Sequence, residues 1–87
     1  MSGHVDNKHM TWNYRVIRHL ATQDGTAHYA IHEVYYNEHG TPYMVSLEPA
    51  KPFGETLDEL KSDLGMIHAA LRKPTLDYTI FTKKEEP

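Results

Sequence analysis

Ala27-His28-Tyr29-Ala30-Ile31-His32-Glu33-Val34-Tyr35-Tyr36 is the longest β-like run in the chain, rich in aromatic and β-branched side chains. It reads as the second of three strands. Gln23-Asp24-Gly25-Thr26 precedes it and Asn37-Glu38-His39-Gly40 follows it, two polar turns, the first with Gly25 free to take positive φ. Upstream, Trp12, Tyr14 and Val16 alternate with Asn13 and Arg15, so Trp12 to Leu20 is the first strand. Downstream, Thr41 to Glu48 is the third, with Pro42 near its start, where a missing backbone donor is tolerated. The expectation is a three-stranded antiparallel meander.

Glu48-Pro49-Ala50-Lys51-Pro52-Phe53-Gly54 cannot continue a sheet, because two prolines remove donors and Gly54 invites a bend. Thr56-Leu57-Asp58-Glu59 then reads as a capping box that opens a helix. Leu57, Leu60, Leu64, Ile67 and Leu71 share one stripe of it, with acidic residues in the first turn and Arg72 and Lys73 at the other end. Pro74 stops the helix, and Thr75 to Thr82 carries a short β-like run. The order is βββαβ in an α+β domain spanning 12–82. Residues 1–11 show no periodicity and read as a disordered arm or an expression remnant with Met10 as the native start, and 83–87 as a frayed tail.

Composition narrows the function. The chain has 87 residues, 39% of them hydrophobic, and a mean hydropathy of −0.65, so it holds one small core. A chain of this size buries only about 60% of the surface it exposes when unfolded, which makes self-association an expectation. Nine basic against twelve acidic residues, a net charge of −3, argue against nucleic acid as a partner. With no cysteine there is no disulfide framework or thiolate site, which fits the cytoplasm. No run approaches the roughly 20 apolar residues that span a bilayer.

In tight hairpins Ile17, Ala30, His32, Val34, Tyr43, Val45 and Leu47 share one sheet face. The other carries Tyr14, Val16, Arg18, Leu20, Tyr29, Ile31, Glu33, Tyr35 and Met44. The aliphatic face is the better match for the leucine stripe, which leaves the tyrosine face half wet. Tyr14, Arg18, Tyr29, Ile31, Glu33, Tyr35 and Met44 are therefore the candidate partner-binding residues, with an Arg18/Glu33 pair among the tyrosines.

No cofactor, metal site or catalytic set is expected. His28 and His32 have the spacing of a helical zinc pair, but on a strand four residues separate them by roughly 13 Å. His19 can approach His28 across the hairpin without an obvious third ligand. His32 and Glu33 point to opposite faces and cannot act as an acid/base couple. His68 borders the leucine stripe, where a half-buried structural imidazole is the expectation. Ser46 and Ser62 lack a His/Asp constellation, and Thr56 is explained by capping. Gly65 interrupts the helix off its apolar stripe, at a cost of about 1 kcal/mol relative to alanine.

Tyr14-Arg15-Val16-Ile17, the run Tyr29 to Tyr36, Gly54-Glu55-Thr56-Leu57 and Lys73-Pro74-Thr75-Leu76-Asp77-Tyr78 resemble a family of small, functionally uncharacterised bacterial proteins. That resemblance covers Tyr14 to Tyr78; it implies the strand and helix order and carries no activity. The topology and the Gly-Glu-Thr-Leu-x-Glu-Leu helix start also resemble, at the level of fold, the HicB-type antitoxin domain. This second resemblance implies neutralisation of a partner ribonuclease. It does not extend to transcriptional regulation, for which a helix-turn-helix or basic arm would be expected. The leading expectation is a non-enzymatic protein-interaction module that self-associates or docks a protein through its tyrosine face or a strand edge.

Overall fold

Alternation in the two long runs produces two long strands. In the computed structural model, which describes residues 11–20 and 25–82, β1 (Thr11–Leu20) and β2 (Ala27–Tyr36) pair antiparallel from Thr11 opposite Tyr36 to Leu20 opposite Ala27. The first strand begins at Thr11, one residue before the expected boundary. Expectations for residues 1–10 and 83–87, and for Gln23 and Asp24, lie outside the described residues. Gly25 and Gly40 take φ of 74° and 81°, which an L side chain adopts only with strain. Asn37 tightens the second turn by accepting from the N–H groups of His39 and Thr41 through its side chain.

The third strand, β3 (Pro42–Val45), is half the expected length. Its register slips where Tyr36 faces Pro42 while Tyr35 faces Met44, a bulge that holds Tyr43. Ser46 then ends the strand. Its N–H donates to the Glu33 carbonyl while its hydroxyl, in place of its own carbonyl, accepts the Glu33 N–H. Leu47, expected on the aliphatic face, is 94% exposed.

Thr56 caps α1 (Leu57–Ala69) as read: its side-chain oxygen accepts the Glu59 N–H at 3.1 Å. The reciprocal bond differs, because the Glu59 carboxylate takes the N–H of Glu55 rather than that of the cap. A 3₁₀ turn (Ala70–Arg72) tightens the helix end before Pro74. The chain then lays β4 (Leu76–Asp77) parallel to β1, Leu76 beside Ile17, giving a mixed sheet of order β3-β2-β1-β4. The strand expected over Thr75–Thr82 is thus only two residues long. Asp77 explains the change, since its carboxylate accepts from both the N–H and the hydroxyl of Thr79 and starts the short helix α2 (Thr79–Thr82).

The helix lies on the face opposite to the one expected. Tyr14, Val16 and Ala70 form one buried cluster with Ile31, Ala50 and Ile67 against it, so α1 covers the tyrosine face. The aliphatic face is occupied by α2, with Ile17, Val34 and Phe81 forming a second cluster packed by Tyr36, Val45, Leu76 and Tyr78. Two features fix this choice. The Tyr14 hydroxyl donates to Asp63 on α1 at 2.7 Å, and Phe81 fills the other face. The same bond sets the roll of α1, turning the line of Asp63, Ile67 and Ala70 toward the sheet. Leu57, Leu64 and Leu71 are left 65%, 47% and 62% exposed, and no α1 residue is buried.

Candidate functional site

The seven residues read as a partner surface are spread over separate parts of the sheet. Tyr14 is only 7% exposed beneath α1, and burial with the Asp63 hydrogen bond pushes its hydroxyl up to about 12. Ile31 packs in the same cluster. Arg18 does not meet Glu33, because the register puts Tyr29 opposite Arg18 and Tyr14 opposite Glu33, four residues apart along the strand. Arg18 instead pairs with Asp77 of β4 at 3.1 Å. The Asp77 carboxyl is held below its usual range first by the Thr79 donors, with Arg18 adding to the effect. Tyr35 donates to the Glu33 carboxylate at 2.8 Å, which raises the Tyr35 hydroxyl above its ordinary value. Glu33, Tyr35 and Met44 therefore lie toward the β3 side, while Tyr29 is exposed at the far end of the sheet near Leu20.

Trp12 belongs with the first group, although the sequence reading left it off the surface. Its ring meets Tyr14 edge-on at 5.2 Å and tilts over Tyr35 at 6.4 Å. Its alternation with Tyr14 was the signal that placed it on this face. Two adjoining depressions flank α1 here. One, of about 440 Å³, is bordered by Tyr14, Glu33, Lys51, Phe53, Asp63 and Met66. The other, of about 200 Å³, lies between Trp12, Asn13, Met66, Ala69 and Lys73. Phe53, Met66 and Trp12 stand exposed along the rim.

The carboxylates in the larger depression already hold donors. Asp63 accepts from the Tyr14 hydroxyl and from the Phe53 N–H, Glu33 from Tyr35, and Glu59 from the Glu55 N–H. Gly54 lets the loop pass this close to α1, because a Cβ there would lie 2.7 Å from the Glu59 carbonyl carbon.

On the opposite face three histidines meet. His32, 2% exposed, places Nε2 3.1 Å from His19 Nε2, and His19 stacks on His28 at 4.9 Å with rings 6° apart. Tyr78 closes over His19 at 4.9 Å. Burial, then the neighbouring His32 and His28, lower the His19 pKa. The roughly 13 Å expected between His28 and His32 is a distance along the strand; His19 is level with His28 in the ladder, yet its ring touches that of His32.

Ser46 orders this cluster. Its carbonyl can only accept, so the 3.0 Å contact with His32 Nδ1 fixes the proton on Nδ1. The Ser46 hydroxyl lies 3.3 Å from the same nitrogen but donates to the Glu48 carbonyl at 2.8 Å. A protonated Nδ1 facing a hydroxyl that is already donating elsewhere is the wrong arrangement for a base and a nucleophile. Arg15, directly opposite His32 in the ladder, donates to the Tyr36 hydroxyl and the Pro74 carbonyl.

The chain matches no protein-family profile, no curated protein and no solved structure. No helix among the described residues is long and apolar enough to cross a membrane.

Proposed function

We propose that this chain is a non-enzymatic protein-interaction module that self-associates through the outer face of α1. The observation that carries this reading is a thirteen-residue helix with no buried residue and with Leu57 and Leu64 exposed on it, as is Leu71 in the 3₁₀ turn that follows. The occupant is a second copy of the same helix. Leu57, Leu64 and Leu71 recur every seven residues, the spacing at which one helix seam meets another. Leu60 and Ile67, the intervening positions of that seam, are half-buried, with Ile67 packed on the sheet. An interface of this kind is isologous, with the same leucines meeting across a two-fold axis. Met66, about 160° around the helix from Leu64, faces the depressions beside Trp12 and stays outside the seam.

Light scattering across a dilution series tests the proposal. The wild type is expected to dimerise, and Leu64→Glu to be a folded monomer, because Leu64 contributes nothing to either buried cluster. A wild type that stays monomeric at every concentration defeats self-association. The role implied by the HicB-type resemblance, neutralising a partner ribonuclease, is then the reading to test.

A further inference from the structure

The geometry points to a second site, independent of α1. We propose that His19 and His32 chelate a divalent transition-metal ion of the zinc class, with His28 swinging in as third ligand. Three observations meet at this place. The Nε2 atoms of His19 and His32 point at one another from adjacent strands at 3.1 Å. Two nitrogens bound tetrahedrally at 2.0–2.1 Å from one zinc ion stand about 3.3 Å apart. An ion taking the place of the shared proton therefore needs the rings to part by a few tenths of an ångström and each to turn by roughly 35°, so that the two lone pairs meet the ion beside the N–N line rather than along it.

The second observation is the Ser46 carbonyl. Its contact with His32 Nδ1 at 3.0 Å puts the proton on Nδ1 and leaves the Nε2 lone pair directed at His19. Metal-bound histidines are oriented in this way, by a carbonyl or carboxylate accepting from the other ring nitrogen. In the metal-free pair His19 must supply the Nε2 proton to that lone pair. On binding, His19 keeps one proton by moving it to Nδ1, so both neutral rings present Nε2 and no net proton is released.

His28 is the third observation. It is directly opposite His19 in the ladder, exposed, and already stacked on its ring. No three ligating groups converge on one point among the described residues. The pair is thus the anchor, and rotation of the exposed His28 side chain completes it, with water in the remaining position. Lowering the pH opposes binding, because protons compete for the same nitrogens.

The test is a Zn²⁺ titration by calorimetry at pH 7.5, repeated with Co²⁺ by absorption, on the full chain carrying His4→Gln and His9→Gln. These substitutions silence the two histidines near the start of the sequence. One equivalent is expected to bind, with the imidazole nitrogen resonances of His19 and His32 shifting together. His19→Gln should weaken binding at least about tenfold, and His28→Gln should weaken it less. His19 is only partly buried, so its variant is expected to fold, and His68→Gln serves as the unaffected control. Absence of one-equivalent binding, or binding that survives His19→Gln unchanged, overturns the proposal and leaves the cluster as a proton-sharing pair.

Discussion

Replacing Tyr14 with phenylalanine removes one atom and tests the contact that seats α1. The hydroxyl donates to Asp63 at 2.7 Å from a side chain that is 7% exposed. A hydrogen bond to a charged group contributes about 1.5–3 kcal/mol. Asp63 keeps its bond from the Phe53 N–H and borders an open depression, so water replaces part of the loss. The expected destabilisation is about 1.5 kcal/mol, a fall in Tm of roughly 6–12 °C for a domain of this size. The same bond has a pH signature. The hydroxyl titrates at about 12 when folded, above its ordinary value of 10.0. Its contribution is therefore complete below pH 10 and is lost as the pH rises through 12. Urea denaturation from pH 7 to pH 12 should show the wild type losing its advantage over Tyr14→Phe across that window. Equal stability of the two proteins at pH 7, or parallel decline above pH 10, would refute the idea that this bond holds the helix.

Phe81→Ala empties the lid over Ile17 and Val34 and should cost about 3–5 kcal/mol; a thermal melt that retains the wild-type Tm would mean α2 does not cover that face. Gly54→Ala forces a Cβ against the start of α1 and should cost about 1–3 kcal/mol, whereas Gly65→Ala, with open space around it, should stabilise by about 0.5–1 kcal/mol; urea midpoints decide both. Acid should weaken the fold through His19. Its folded pKa lies below 6.5, so the unfolded chain takes up the proton first and stability falls as the pH drops through that value. Stability measured from pH 7.5 to pH 5 should decline less in His19→Gln, and identical curves would exclude His19 as the cause.

Much of the sheet could be read from residue types alone. Gly25 and Gly40 both take the positive φ that their turns require, and with β1 and β2 ten residues long the hairpin keeps the expected faces. Thr56 was legible because a capping hydroxyl acts within one turn. What failed was everything that depended on contacts between distant segments. The run Leu76 to Phe81 looks like a strand, yet Asp77 captures Thr79 and turns the chain into a helix that delivers Phe81 to the aliphatic face. Once that face is filled, α1 has only the tyrosine face to cover, and the Tyr14–Asp63 bond sets its roll. Apolar counting could not anticipate a polar bond choosing the side. The His19–His32 contact was not anticipated for a related reason: strand spacing gives the distance between backbones, while a leaning imidazole covers several ångströms of it.

β1 is the spine that makes the two faces behave differently. Its alternation sends Tyr14 and Val16 to α1 and Ile17 to α2, so one strand supplies both cores. The α2 side is closed by Phe81 and Tyr78 over Ile17 and Val34, which are fully buried, and the ordered histidines sit at its margin. The α1 side is closed by a helix that fully buries none of its own residues and keeps Leu57 and Leu64 outside. Burial is what stabilises a helix in water, since propensity alone leaves thirteen residues marginal. A second copy against the leucine seam would add apolar contact to what Ile67 makes on the sheet, and anything that binds only the folded form stabilises it. Association and the seating of α1 are then one equilibrium. The histidine cluster, on the other side of the same strand, can be occupied or emptied without touching that seam.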